Sequence, residues 1–343
     1  MNDHSITTKA LLGDARNMAF RGAASLGRFV GRRCLDRAAT MEKLHQLGCE
    51  PDNHGIFRLN SGGSRIDIDI LNCGVVRVGG RDCLDLDYGS RGVLRGWKGG
   101  SANADHAVAL WSHRWMGYYH WIIDIAPKIA AIQELSPPDA QRQWIFPRSG
   151  QPYESETLEM LGVPEANIID SLHHRAIRVD SVEMMALPGW FEIQQASAML
   201  RDRLLPFGGP SGGERIFLKR RGRRSCVNED EVVRFLATKG FDMVEDEPRS
   251  VTAQIGIFKH AKVIVAPHGA ALSNLLWCSA ESHIIECFAE GYSPPYYENL
   301  AAFRGMTYKC IGKTSNSHWT GVERDVWIDI NELAERLDQI GIL

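Results

Sequence analysis

The sequence predicts an α/β protein with a strand-rich N-terminal part and a doubly wound parallel sheet in its C-terminal half. Three observations carry this. Short alternating runs separated by glycines fill residues 56–112, and a regular strand–helix alternation fills residues 215–311. Between them Phe207-Gly208-Gly209-Pro210-Ser211-Gly212-Gly213 has the composition of a flexible linker. A chain of 343 residues is long enough for two domains. The expected division is a basic helical segment 1–48, an N-terminal domain 49–206 and a C-terminal domain 214–343, whose last helix is free to pack back on the N-terminal domain.

In the first half, Ile56–Leu59, Ile66–Ile70, Gly74–Val78 and Ala107–Trp111 read as strands. Helical periodicity runs from Tyr118 to about Leu135 and stops at Ser136-Pro137-Pro138-Asp139, because proline restrains the residue before it. A strand at Trp144–Pro147 and a helix near Ser155–Leu161 follow. In the second half, strand Arg215–Leu218 leads to a helix opened by Asn228 with Glu231 as a capping box, ending near Lys239-Gly240. Then come strand Phe241–Val244, helix Ser250–His260 and the buried strand Lys262–Ala266. Helix Ala270–Cys278, strand His283–Phe288, helix Pro295–Phe303 and strand Thr307–Ile311 complete the series. Such a rhythm implies a parallel sheet.

Composition narrows the function. Hydrophobic residues make up 44%, charged residues 24%, and the formal net charge is -3, so nothing global suggests a nucleic-acid partner. Eight scattered cysteines without a CxxC pair argue against a zinc cluster and read as small buried hydrophobes. With no signal peptide and no apolar run near 18 residues, a reduced cytosolic compartment is expected. Residues 1–48 carry Lys9, Arg16, Arg21, Arg28, Arg32, Arg33, Arg37 and Lys43 against Asp3, Asp14, Asp36 and Glu42. Two readings stand for this segment: a solvated helix on the domain, or a peripheral contact with an anionic membrane face.

Open parallel sheets bind ligands beyond the carboxyl ends of their strands. Pro267-His268-Gly269-Ala270-Ala271 lets backbone approach a ligand there, and the helix it enters offers free N–H groups to a phosphate. Lys219-Arg220-Arg221-Gly222-Arg223-Arg224 places five cations in six residues after another strand, and guanidinium groups bind phosphate oxygens bidentately. Two such loops at one sheet edge make a diphosphate site. In the first half, His120, Asp124 and Lys128 fall on one helical face; His120 beside a carboxylate suits a general base, or is simply satisfied by it. Pro127 removes the hydrogen bond to the Ile123 carbonyl and kinks that helix. Asp67-Ile68-Asp69 and Asp85-Leu86-Asp87 have the DxD form of metal-binding transferases, but alternation in a strand also puts such pairs in water together.

These segments resemble a known family. Tyr119-His120-Trp121-Ile122-Ile123-Asp124-Ile125-Ala126-Pro127-Lys128, Leu218–Arg224 with Val227–Glu231, and Ala261–Leu276 occur in the order found in glycosyltransferase family 61. Departures are Lys219 for Ser, Lys128 for Arg, Ala266 for Gly and Ser273 for Thr. The resemblance implies a GT-B architecture of two facing Rossmann-like domains and an inverting transfer from a UDP-sugar without an essential metal or other cofactor. The acceptor is a hydroxyl of a glycan or lipid-linked surface polysaccharide. For a chain without an anchor it further implies a bacterial member building capsule-type polysaccharide at the inner membrane face. In that scheme His120 is the first candidate base and Asp124 the second. Arg220, Arg221, Arg224, Asn228, His268, Gly269, Ala270, Ala271 and Asn274 surround the donor, and Glu286 either reaches its ribose or is a strand-end surface acid. The rivals are a sugar-nucleotide epimerase, a metal-dependent GT-A transferase and a non-catalytic nucleic-acid binder.

Overall fold

The computed structural model describes residues 46, 49, 51–53, 55–61, 67–86, 99–112, 116–185, 190–210, 212–313 and 323–342. The basic segment 1–48 therefore lies outside the described residues apart from residue 46, as does Asp87. The chain divides into two compact units. One comprises Met1–Met116, Ala131–Gly150 and Val163–Ile193; the other comprises Gly117–Ala130, Gln151–Gly162 and Gln194–Leu343. Residues 117–130 and 151–162, expected in an N-terminal domain ending at residue 206, thus cluster with the C-terminal half.

The first unit holds a mixed eight-stranded sheet: β1 (Ile56–Asn60), β2 (Ile68–Leu71), β3 (Val75–Val78), β4 (Arg81–Asp85), β5 (Gly100–Ala109), β6 (Gln143–Phe146), β7 (Ile168–Asp170) and β8 (His174–Met185). Its order is β4-β3-β2-β8-β5-β6-β7, with β1 also on β8. β8 is the organising strand. It pairs antiparallel with β1 and with β2, and parallel with β5. The sequence reading missed β8, β4 and β7. In β8 the alternation of buried Ile177 and Val179 gives way to four consecutive buried residues, Val182–Met185, which breaks the period-2 signal.

The second unit holds five parallel strands: β9 (Arg215–Leu218), β10 (Asp242–Val244), β11 (Val263–Pro267), β12 (His283–Cys287) and β13 (Thr307–Ile311). Their order, β10-β9-β11-β12-β13, is that of a doubly wound sheet whose chain reverses direction of travel between β9 and β11. Alternation along the strands sends Phe217, Val263, Val265, Ile285, Cys287 and Ile311 to one face. There they pack with Val232 and Leu236 of helix Glu229–Ala237 and with Leu333 and Leu337 of helix Ile330–Asp338. The last helix therefore completes the core of its own unit. Its start is fixed by Asp329, whose carboxylate accepts from the Asn331 and Glu332 amides.

On the opposite face, helices Val251–Lys259 and Tyr296–Arg304 flank the segment Ala270–Trp277. Ser250 caps the first of these, and Glu156 from helix Pro152–Met160 adds a carboxylate 2.6 Å from the Val251 amide. Ala270–Trp277 is a 3-10 helix, where an α-helix was expected. Residues three apart eclipse in this geometry. Trp277 Nε1 accordingly donates to Asn274 Oδ1, 2.9 Å away, and Leu272–Trp277 are buried on all sides.

Leu333→Ala should cost about 2–5 kcal/mol of unfolding free energy, as for other large-to-small core truncations. Urea unfolding measures this; a change near zero would mean that the last helix does not close the second unit.

Candidate active site

The crevice opened by the reversal between β9 and β11 is where a doubly wound sheet takes its ligand. Both loops singled out in the sequence leave from it. β9 ends at Leu218 and runs into Lys219–Arg224; β11 ends at Pro267 and runs into His268-Gly269. The two loops touch. A Cβ built on Gly269 would lie 1.6 Å from Arg220 Nη1, so the glycine is needed for the guanidinium to pass. Arg224 donates from Nε to the His268 carbonyl at 3.2 Å and lies over the Tyr292 ring at 5.3 Å. It is also held at φ 60°, the left-handed region, where among the described residues every other positive-φ position is glycine.

The five cations have separate fates. Lys219 is paired with Glu229 and Glu245, Arg221 faces Glu245 while its amide binds Asp246, and Arg223 is paired with Glu323. Arg221 is exposed, so its expected part in donor binding gains no support from its position. Arg220 donates only through Nε, to the Arg223 carbonyl at 2.8 Å. Its terminal nitrogens meet no acceptor among the described residues. Burial disfavours the charged form of both inward-turned groups, lowering Arg220 and pushing Arg224 down to about 10, with the neighbouring arginines adding to the effect on Arg224. An anion placed between them would reverse that penalty.

His268 is buried beside this pair. Its Nδ1 is hydrogen-bonded to Glu286 Oε1, and the other oxygen of Glu286 accepts from Tyr308 at 2.6 Å. The imidazole stacks on Phe288 at 5.4 Å and meets Tyr292 and Tyr297 at 5.3 Å each. Glu286 is fully buried with both oxygens engaged. Neither expected reading, a ribose ligand or a strand-end surface acid, fits this buried position.

The segment carrying His120 belongs to the same unit as these loops, not to a separate N-terminal domain. An α-turn at Tyr118–His120 passes into a π-helical stretch, Trp121–Ile125, before the α-helix Ala126–Leu135. The irregularity expected from Pro127 takes this form: the Ala126 amide reaches back five residues to the Trp121 carbonyl. His120 Nδ1 lies 2.6 Å from Asp124 Oδ2. Lys128 is buried one turn on, where burial lowers its proton affinity against the pull of Asp124. Tyr119 packs edge-on to His120 and touches Tyr296 and Tyr297, the rings that also contact His268. Two histidine–carboxylate pairs thus flank one tyrosine pair.

Two further expectations are corrected. Asn274 has no hydrogen-bonding capacity left for a donor. Its oxygen accepts from Tyr118 and Trp277, and its amide gives to Gln254 and the Ala271 carbonyl. Asn228 does not cap its helix through the side chain. It grips the backbone of Ile328 from both ends and receives Glu231 on its amide, which replaces the expected capping box. With Arg223–Glu323, Ser225–Asp325 and the Cys226–Val326 bridge, it ties the arginine loop to residues 323–328. Ala270 and Ala271 are exposed at the start of the 3-10 helix, where their amides remain open to a ligand. Asp67 and Asp69 both pair with Arg178 in the first unit.

Sequence reasoning missed Tyr292, Tyr296, Tyr297, Phe288 and Tyr308. The signal was available for most of them: the loop after β12, Phe288–Tyr297, is a third loop at the same sheet edge and is rich in aromatics and proline.

A half-buried and a buried guanidinium, open amides and a locked histidine thus lie together at the switch point of the second sheet. Residues 118–285 match the family model described as Glycosyltransferase 61. No curated protein matches the chain significantly. Among the described residues, no helix is long and apolar enough to cross a membrane.

Gly269→Ala should force Arg220 out of place. Charge-assisted hydrogen bonds are worth roughly 1.5–3 kcal/mol, so UDP affinity should fall about tenfold or more. Titration calorimetry reads this, and unchanged affinity would remove Arg220 from the ligand site.

Proposed function

We propose that the protein transfers a sugar from a UDP-sugar to a hydroxyl of a glycan or surface-polysaccharide acceptor, with inversion. The observation that carries this reading is Arg220: a half-buried guanidinium at the switch point with no acceptor for its terminal nitrogens among the described residues. Arg220, Arg224 and the amides of Gly269–Ala271 bind the diphosphate. In the reaction, the acceptor oxygen attacks the anomeric carbon as His120 takes its proton, and Asp124 holds the imidazole and supports the charge it gains. The bond from the anomeric carbon to the β-phosphate oxygen breaks, its electron pair leaving with UDP. The guanidiniums stabilise the charge that develops there, a role that needs no metal ion. Pairing of Asp67 and Asp69 with Arg178 weighs against a DxD metal site in the first unit. In the GT-B architecture that the family suggests, the second unit is the nucleotide side.

His120→Ala should abolish transfer while UDP still binds with unchanged affinity. Loss of UDP binding as well would assign His120 a structural role. Arg220→Ala should lower the transfer rate by roughly two to three orders of magnitude, the cost of one pre-organised donor at a developing anion. Steady-state rates with a UDP-sugar panel test this, and a loss below about tenfold would exclude Arg220 from the transition state.

A further inference from the structure

The proposed transfer uses His120 and Asp124 and leaves the third charged group of that helical face, Lys128, without a part. Lys128 stands in the first turn of helix Ala126–Leu135 and is 7% exposed. Its ammonium makes no hydrogen bond and no ion pair among the described residues. Asp124, one turn away, attracts its charge without contact, and Asp124 Oδ2 is already taken by His120. Burying an isolated charge is costly, so a lysine drawn into the interior is normally paired. This one is held there with its donors unspent.

The helix sets where those donors point. Helical side chains lean toward the N-terminus, so Lys128 reaches back along the face toward Asp124, which lies about 6 Å away along the axis. A group bound to Lys128 therefore lies beside the hydroxyl that His120 addresses. Its charge is limited by the surroundings. Arg220 and Arg224 together match a diphosphate, whereas Lys128 is a single compact ammonium with a carboxylate already nearby. A monoanion balances it, and a dianion would be repelled by Asp124. On a sugar, the monoanion that lies within a few ångströms of a ring hydroxyl is the carboxylate of a uronic acid.

We infer that Lys128 binds the carboxylate of a uronic acid in the acceptor, which is then an acidic glycan presenting a neighbouring hydroxyl to His120. This rests on the reading of His120 as the base and deepens it by naming the acceptor's class. The contact is an ion pair, and no covalent bond is made or broken in it.

The test measures binding of methyl glucuronide, methyl glucoside and glucose 6-phosphate to the full chain with UDP present, by saturation-transfer NMR titration. The glucuronide should bind about tenfold more tightly than the glucoside, the worth of one charge-assisted hydrogen bond. That preference should disappear in Lys128→Met and persist in Lys128→Arg. Urea unfolding of Lys128→Met reads a structural role separately: the midpoint should hold or rise, because a buried charge without a partner is removed. A fall in the midpoint would show that the ammonium supports the fold and would overturn the inference. Equal binding of glucuronide and glucoside, or a preference that survives in Lys128→Met, also overturns it, and transfer to neutral acceptors would then leave the proposed reaction standing. Tighter binding of glucose 6-phosphate through Lys128 overturns the assignment of a carboxylate. Glucuronide binding through Lys128 without transfer from any UDP-sugar would overturn the proposed reaction alone.

Discussion

The proposed site depends on withdrawing two neighbouring guanidinium groups from water, Arg224 fully and Arg220 in part. Removing a charge from water is costly, and two like charges add their repulsion to that cost. The fold offsets it with a few defined contacts. Arg224 rests on the Tyr292 face and on the His268 carbonyl, Arg220 on the Arg223 carbonyl, and the backbone at Arg224 accepts a left-handed conformation to aim its side chain. Gly269 supplies the gap through which Arg220 passes. None of these contacts is an acid on the Arg220 terminal nitrogens, which is the place the proposed diphosphate takes. The three outer cations, Lys219, Arg221 and Arg223, are neutralised by glutamates and shape the loop around that pair.

Much of this was legible in the sequence, for identifiable reasons. The second sheet has short strands with near-continuous apolar runs and clear helix starts, so its five strands were placed within a residue or two. The cation cluster and the Gly-Ala-Ala turn announced themselves as loops at strand ends. Asn274 and Asn228 were harder. A sequence shows an asparagine's hydrogen-bonding groups but not the partners that exhaust them, here Tyr118, Gln254 and Trp277 for one and Ile328 for the other. Glu286 was misjudged because strand ends usually reach water; this one lies beneath the loops that follow β11 and β12. The unit boundary was missed because it is set by packing. A linker marks where the chain can turn, and the helix carrying His120 crosses to the second unit well before residue 207.

Two histidine–carboxylate pairs are held in different ways in one unit. His120–Asp124 is held by a π-helical turn, a strained local geometry of the kind found at functional positions. His268–Glu286 is held by strand register: β12 pairs Glu286 with Ala266, so its side chain lies on the same sheet face two residues below His268. The tyrosines Tyr296 and Tyr297 lie between the pairs, in ring contact with Tyr119 on one side and His268 on the other. Behind them, residues 323–328 run beside 223–228 and fix the loop that carries the arginines. Sequence placed the chemistry at the sheet edge; this packing gives it direction.

The central claim is that the crevice between β9 and β11 binds the diphosphate of a uridine nucleotide through arginine and backbone amides. Thermal unfolding against UDP, GDP, CMP and dTDP, each with and without EDTA, tests it most directly. A ligand at about 100 times its dissociation constant stabilises the folded state by roughly 2.7 kcal/mol, enough to move the midpoint measurably. The account predicts a shift with UDP that EDTA leaves unchanged and that the other nucleotides do not match. No shift with any nucleotide, or a shift with UDP that EDTA abolishes, would contradict it.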